Sequence, residues 1–291
     1  MPDYSLAQLR QWCSVPVEQL AGHPDLKVPL RVVADSAEMG ELMARELVDE
    51  VAARGGPTRA IVPCGPMAWC EPFVRLVNQH RVSLANLHVF HMDECLDWQG
   101  RLLPRGHPYN FRTTMEKAFY AGVEPALAVP PGQRHFLTPR NVDEIARDID
   151  RGGIDLTLGG WGQDGHVAYN QARREPYSQV GIDELAASTA RVQCNSPDTV
   201  LALAQRTFGT AYQFVPPMSV TLGLKQCLSG RKLRLFSDTG SWKQTALRVA
   251  LFGPVTPEYP ITLLQRHPDA ILTATVATAD HPLAHHPEWE L

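Results

Sequence analysis

The segment Gly159-Gly-Trp-Gly-Gln-Asp-Gly-His-Val-Ala-Tyr-Asn-Gln171 holds four glycines in its first seven residues. Such a run lets backbone approach a ligand closely and turns N–H groups toward an anion or oxyanion. Asp164 and His166 stand two residues apart in it, so a carboxylate can orient an imidazole and raise its basicity. The same glycines would serve a purely structural turn with polar residues on its surface. A second segment, His88-Val-Phe-His-Met-Asp-Glu94, reads as a strand with two carboxylates at its carboxyl end, well placed for proton transfer. Strand alternation puts His91 and Asp93 on one side and His88 on the other, while Glu94 could equally be a structural ion-pair partner. One His-x-Asp is no metal-ligand set, so no metal is expected. Thr239-Gly-Ser-Trp-Lys243 reads as a turn opening a helix with Lys243 in its first turn, a weak phosphate signal by itself. Pro63-Cys-Gly-Pro-Met67 is weaker still, because its prolines supply no N–H.

The elements that carry these segments alternate. Apolar strands are expected at 30–34, 60–62, 87–92, 154–158, 233–236 and 270–274. Between them, helices are expected after Ser36 (read as the cap) with Gly55-Gly56-Pro57 as the stop, to about residue 81, over 141–151 and from Trp242. Short strands alternating with longer helices mean βαβ units, hence an α/β, Rossmann-like fold with a mainly parallel sheet and helices on both faces. Ligands in such folds sit beyond the carboxyl ends of the strands. All four chemical segments fall there. Residues 1–29 read as an N-terminal extension, 30–280 as a single domain and 281–291 as a tail.

The bulk properties exclude several classes. The chain has 291 residues, 44% hydrophobic and 20% charged, enough to form a sizeable core without disulfides or metal. A net charge of -4 argues against nucleic-acid or acidic-membrane partners. No long apolar run or signal-like N-terminus is present, so a cytoplasmic location is expected. The six cysteines are scattered with no CxxC pair, as expected for reduced, mostly buried thiols.

Taken together, five ordered segments resemble the glucosamine-6-phosphate deaminase/isomerase family, which shares its fold with the 6-phosphogluconolactonases. They are Val89–Glu94 (family pattern M-D-E at a strand end), His107-Pro-Tyr-Asn-Phe111, Gly159–Asn170, Pro216–Gly223 and Gly240–Lys243. The likeness spans roughly residues 30–275, and Ala168-Tyr-Asn favours the deaminase branch over the lactonases. The resemblance implies aldose–ketose isomerisation with loss of ammonia, glucosamine 6-phosphate being the default substrate, with no metal or organic cofactor. It implies that Asp93 moves a proton between C1 and C2, and that His166, oriented by Asp164, opens the sugar ring. It implies further that Arg206, ten residues before Pro216, and Lys243 hold the phosphate, with Cys64 and Gly65 in the phosphate loop.

Two positions depart from the family. Gln171 stands where a glutamate follows the F-N pair; it is expected to hydrogen-bond the imidazole without adding charge. Cys64-Gly-Pro-Met stands for T-G-G-T-P, losing a hydroxyl donor and a backbone N–H. An isomerase or lactonase acting on another acidic sugar, or a non-catalytic sugar-phosphate-binding regulator, are the alternative readings. The arginine and lysine that confer effector control on some members are not recognisable in 176–189. Members are often oligomeric, so a homo-oligomer is an open expectation. Trp161 is expected either to line the pocket or simply to pack.

Overall fold

The computed structural model describes residues 4–171 and 180–290; part of the 176–189 stretch thus lies outside the described residues. Ten strands are present among the described residues: β1 (Leu30–Val33), β2 (Thr58–Val62), β3 (Leu87–His91), β4 (Asp93–Leu96), β5 (Arg134–His135), β6 (Ile154–Gly159), β7 (Arg191–Cys194), β8 (Met218–Thr221), β9 (Gly230–Ser237) and β10 (Ala270–Thr275). Seven form one sheet in the order β1-β10-β9-β6-β2-β3-β5, with every pairing parallel. Parallel sheets are covered on both faces, and alternate side chains of each strand divide accordingly. Ala60 and Val62 of β2 join Met39, Met43, Leu47 and Phe73 on one side. Ile61 joins Ile145, Ile149, Leu247 and Leu251 on the other.

From β2 the chain steps outward through β3 to β5, returns to β6, then steps the opposite way through β9 and β10. The direction of winding therefore reverses between β2 and β6, where diverging loops leave a crevice. The segments after those two strands are Pro63–Met67 and Gly160–Gln171. A Cβ on Gly160 would lie 3.2 Å from the Gly65 carbonyl oxygen and 3.3 Å from Pro66 Cδ, so any larger residue would push the two loops apart by a few tenths of an ångström.

A second, antiparallel sheet of β4, β8 and β7 was not anticipated. Asp93 belongs to it, paired with Thr221, rather than to the end of β3. With only Met92 between two hydrogen-bonded runs, the sequence reads as one strand. Helix starts also shift. Asp35, not Ser36, caps the Ser36–Ala53 helix, its Oδ1 accepting the Ala37 and Glu38 N–H groups at 2.9 and 3.0 Å. The last long helix begins at Gln244 after a 3-10 turn over Gly240–Lys243, which places Lys243 at its N-cap.

Two short helices, Leu6–Cys13 and Val17–Leu20, precede β1. The first packs on the Gln244–Phe252 helix, and Cys13, Leu20 and Val28 are buried. Arg248 of the latter helix is fully buried. Its guanidinium donates to the carbonyls of Trp12 (3.2 Å), Val15 (2.8 Å) and Ala279 (2.6 Å).

Candidate active site

A cavity of about 460 Å³ opens at the carboxyl ends of the parallel strands, at the reversal point. All four segments singled out in the sequence line it: Pro63–Met67, Asp93, residues of the glycine-rich turn including Trp161 and His166, and Thr239, Trp242 and Lys243. Arg206 joins them from the Pro197–Phe208 helix.

Asp93 sits where the chain crosses from one sheet to the other. Burial, with the neighbouring Glu94 carboxylate, pushes its carboxyl up to about 7. A carboxyl poised there can both accept and return a proton at neutral pH. Glu94 turns the other way. Its carboxylate accepts N–H groups from Cys95 (3.0 Å), Phe111 (2.8 Å) and Arg112 (2.7 Å), anchoring the start of the Phe111–Met115 helix. Of the two carboxylates, one faces the cavity and one holds the scaffold. His91 is not brought to Asp93: its ring is buried, stacks on Phe136 at 3.9 Å and shares a 2.9 Å hydrogen bond with Tyr120 Oη. Burial lowers its pKa to about 3, leaving it neutral.

Asp164 is 3% exposed and pairs through Oδ1 with His166 Nδ1 at 2.6 Å. Burial alone would raise this carboxyl; the imidazole's charge and hydrogen bonds outweigh burial, and the net shift is downward. An ionised Asp164 fixes the ring's tautomer, with the proton on Nδ1 and Nε2 left for chemistry. The turn is built around this ring. A Cβ on Gly162 would stand 2.0 Å from His166 Cε1, and Gly165 adopts φ +73°. Ala168 also occupies the left-handed region, at φ 56°, at the cavity wall. A non-glycine residue so placed costs of order 1–3 kcal/mol, a strain that clusters at working sites.

Lys243 lines the cavity, partly open to solvent. Burial and then the Arg206 charge lower its pKa to about 8, against the raising effect of Asp238 and Asp164. Arg206 is exposed at the cavity rim. Cys64 and Gly65 lie on the wall. Burial, followed by Asp93 and Glu94, pushes the Cys64 thiol well above its usual range, so it is an inert surface rather than a nucleophile. Trp161 does both things the sequence allowed: it is 2% exposed, its Nε1 donates to the Lys243 carbonyl at 3.4 Å, and one face borders the cavity.

Gln171 is not brought to the imidazole. Its carboxamide is turned to Ser196 and Thr199, at the start of the Pro197–Phe208 helix. Sequence reasoning passed over Tyr109, Thr199 and Asp238, which also line the cavity. Tyr109 lay within a segment already singled out, His107–Phe111; its hydroxyl shares a 2.6 Å hydrogen bond with Thr207. Among the described residues no group of three or more His, Cys, Asp or Glu side chains is arranged to hold a metal. No described helix is long and apolar enough to cross a membrane.

A glucosamine-6-phosphate deaminase of Parabacteroides distasonis is 31% identical over 215 residues, covering 73% of this chain and 73% of its own. The chain belongs to the glucosamine-6-phosphate deaminase family. Corynebacterium kroppenstedtii and Caenorhabditis elegans members are 27% and 28% identical, spanning 85% and 81% of this chain. Among solved structures, a monomeric glucosamine-6-phosphate deaminase superposes with a TM-score of 0.72 at 20% identity, covering 86% of this chain and 98% of its own. The 6-phosphogluconolactonase of Trypanosoma cruzi gives 0.59 at 18% identity, covering 88% and 97%. These likenesses bear out the α/β, Rossmann-like reading and the resemblance drawn from the motifs. No family model matches the chain.

Proposed function

We propose that the protein is a cytoplasmic enzyme converting glucosamine 6-phosphate and water to fructose 6-phosphate and ammonia. The observation that carries this reading is the pairing, in one cavity, of a carboxyl near pKa 7 with an imidazole held by a buried carboxylate. His166, steadied by Asp164, takes the C1 hydroxyl proton on Nε2 and passes it to the ring oxygen, which opens the pyranose to the aldehyde. Asp93 then takes the C2 proton and returns it at C1, leaving an imine at C2 that water hydrolyses with release of ammonia. Lys243 and Arg206 hold the phosphate, one as a point charge and the other as a planar fork. The apolar wall of Met67, Met92 and Trp161 limits the water around these steps.

The test is an assay with glucosamine 6-phosphate that follows both products. Ammonia and fructose 6-phosphate should appear one to one. Release of neither would refute the proposal. The altered Cys64–Met67 loop supports one other reading, a lactonase acting on a differently placed acidic sugar, which would open 6-phosphogluconolactone with no ammonia.

A further inference from the structure

Gln171 ends the glycine-rich segment, yet its side chain serves a different element. Oε1 accepts the Ser196 backbone N–H at 2.6 Å, and Nε2 donates to Thr199 Oγ1. Ser196 is the N-cap of the Pro197–Phe208 helix and Thr199 its third helical residue. In a self-contained cap, a Glu or Gln at that third position reaches back to the N-cap N–H. Thr199 is too short to do so. Gln171 supplies the missing acceptor from 25 residues upstream and holds the third residue with its other end. The match is complete at both ends: a carbonyl meets an N–H, and an amide N–H meets a hydroxyl. Gln171 is only 8% exposed, so neither bond is readily replaced by water.

The helix so held presents Thr199, Ala202, Leu203 and Arg206 to the cavity. That i, i+3, i+4, i+7 spacing is a single helical face. We propose that Gln171 is a positioning residue: its carboxamide pins the start of this helix to the glycine-rich turn, and so holds Arg206 in register with Asp164 and His166. The inference rests on the reading of Arg206 as a phosphate ligand. A position that the family motif gives to a glutamate beside the imidazole has here been turned to the helix that carries the anion clamp.

The decisive experiment compares Gln171→Met with Gln171→Glu in the full chain. Glutamate can still accept from the Ser196 N–H and from the Thr199 hydroxyl; methionine can do neither. With Gln171→Met, amide hydrogen exchange at Ser196 should accelerate roughly tenfold, and KM for glucosamine 6-phosphate should rise about as much, with a far smaller change in kcat. The acid limb of the pH–rate profile should stay in place, because neither Asp93 nor the Glu94 beside it is touched. Gln171→Glu should restore exchange protection. Thr199→Val, which removes only one of the two bonds, should give a smaller KM increase and covers the case of a poorly folding Gln171→Met. Unchanged exchange in Gln171→Met, or an acid limb that moves while KM does not, would overturn the proposal. Exchange at Ser196 is read without substrate. A pinned helix in a protein that releases no ammonia would therefore refute the functional reading and not the pin.

Discussion

Asp93, Asp164 and His166, the proposed proton-transfer groups, ride on a strand end and on a turn whose glycines make room for the imidazole. Lys243 and Arg206, the proposed phosphate ligands, come from a 3-10 turn and from a helix whose own start is held by a borrowed side chain. Burial raises Asp93 to about 7, while the imidazole beside Asp164 lowers that carboxyl against its own burial. Arg206 is exposed, Lys243 is half-buried with its pKa lowered first by burial, and the loop that shares their cavity carries Cys64 and Pro66. Under the proposed function, proton transfer rests on a glycine-built turn and a strand end, and anion placement on one exposed and one half-buried cation.

The comparison breaks most easily at Asp93. Asp93→Asn should lower kcat by about 10³-fold, read as ammonia release. The same change should raise thermal stability at pH 8. A carboxyl whose folded pKa lies above its unfolded value stabilises the fold below the unfolded value, near 4, and loses that contribution as pH rises through about 7. The asparagine variant escapes the loss, so its melting advantage should grow from pH 4 to pH 8; a constant difference would refute the shift. In the wild type, kcat/KM should fall below pH 7 as Asp93 takes up a proton and above pH 8 as Lys243 gives one up. A broad plateau across those values would contradict it.

Smaller effects sharpen the contrast. Asp164→Asn should lower kcat by about 10²-fold with little change in KM, since the carboxylate orients the imidazole and touches no phosphate. Lys243→Met should do the reverse, raising KM about tenfold or more and removing the alkaline limb near pH 8. Cys64→Thr, which returns a hydroxyl to the phosphate loop, should lower KM by roughly twofold to fivefold. If it leaves KM unchanged, the loop has moved away from the anion altogether.

Much of this was legible in the chain, for identifiable reasons. Buried parallel strands are short apolar runs, and their carboxyl-end loops converge by topology, so Cys64, Asp93, Asp164, His166 and Lys243 could be placed around one crevice without coordinates. The second sheet was not legible. β7 alternates half-buried and exposed residues, and β4 follows β3 after one residue, so neither shows a pattern of its own. Parity along the strand wrongly joined His91 to Asp93, because the chain changes sheets at Met92. The partner of Gln171 was also beyond reach. A carboxamide carries no periodicity, and its pairing with Ser196 depends on a helix 25 residues away.

Arg248 gives the chain ends a role that their composition conceals. Its guanidinium is dry, and two of its three acceptors are carbonyls of the leading segment, at Trp12 and Val15. Trimming the first fifteen residues would strand a cation in an apolar interior, a loss of several kcal/mol. The segment around Trp12 and Val15 thus works as a plug over the buried guanidinium. A shortened chain should melt at a markedly lower temperature. Because the unplugged helix begins beside Lys243, it should also grip sugar phosphate less tightly, a long-range effect that calorimetry on the trimmed protein would register.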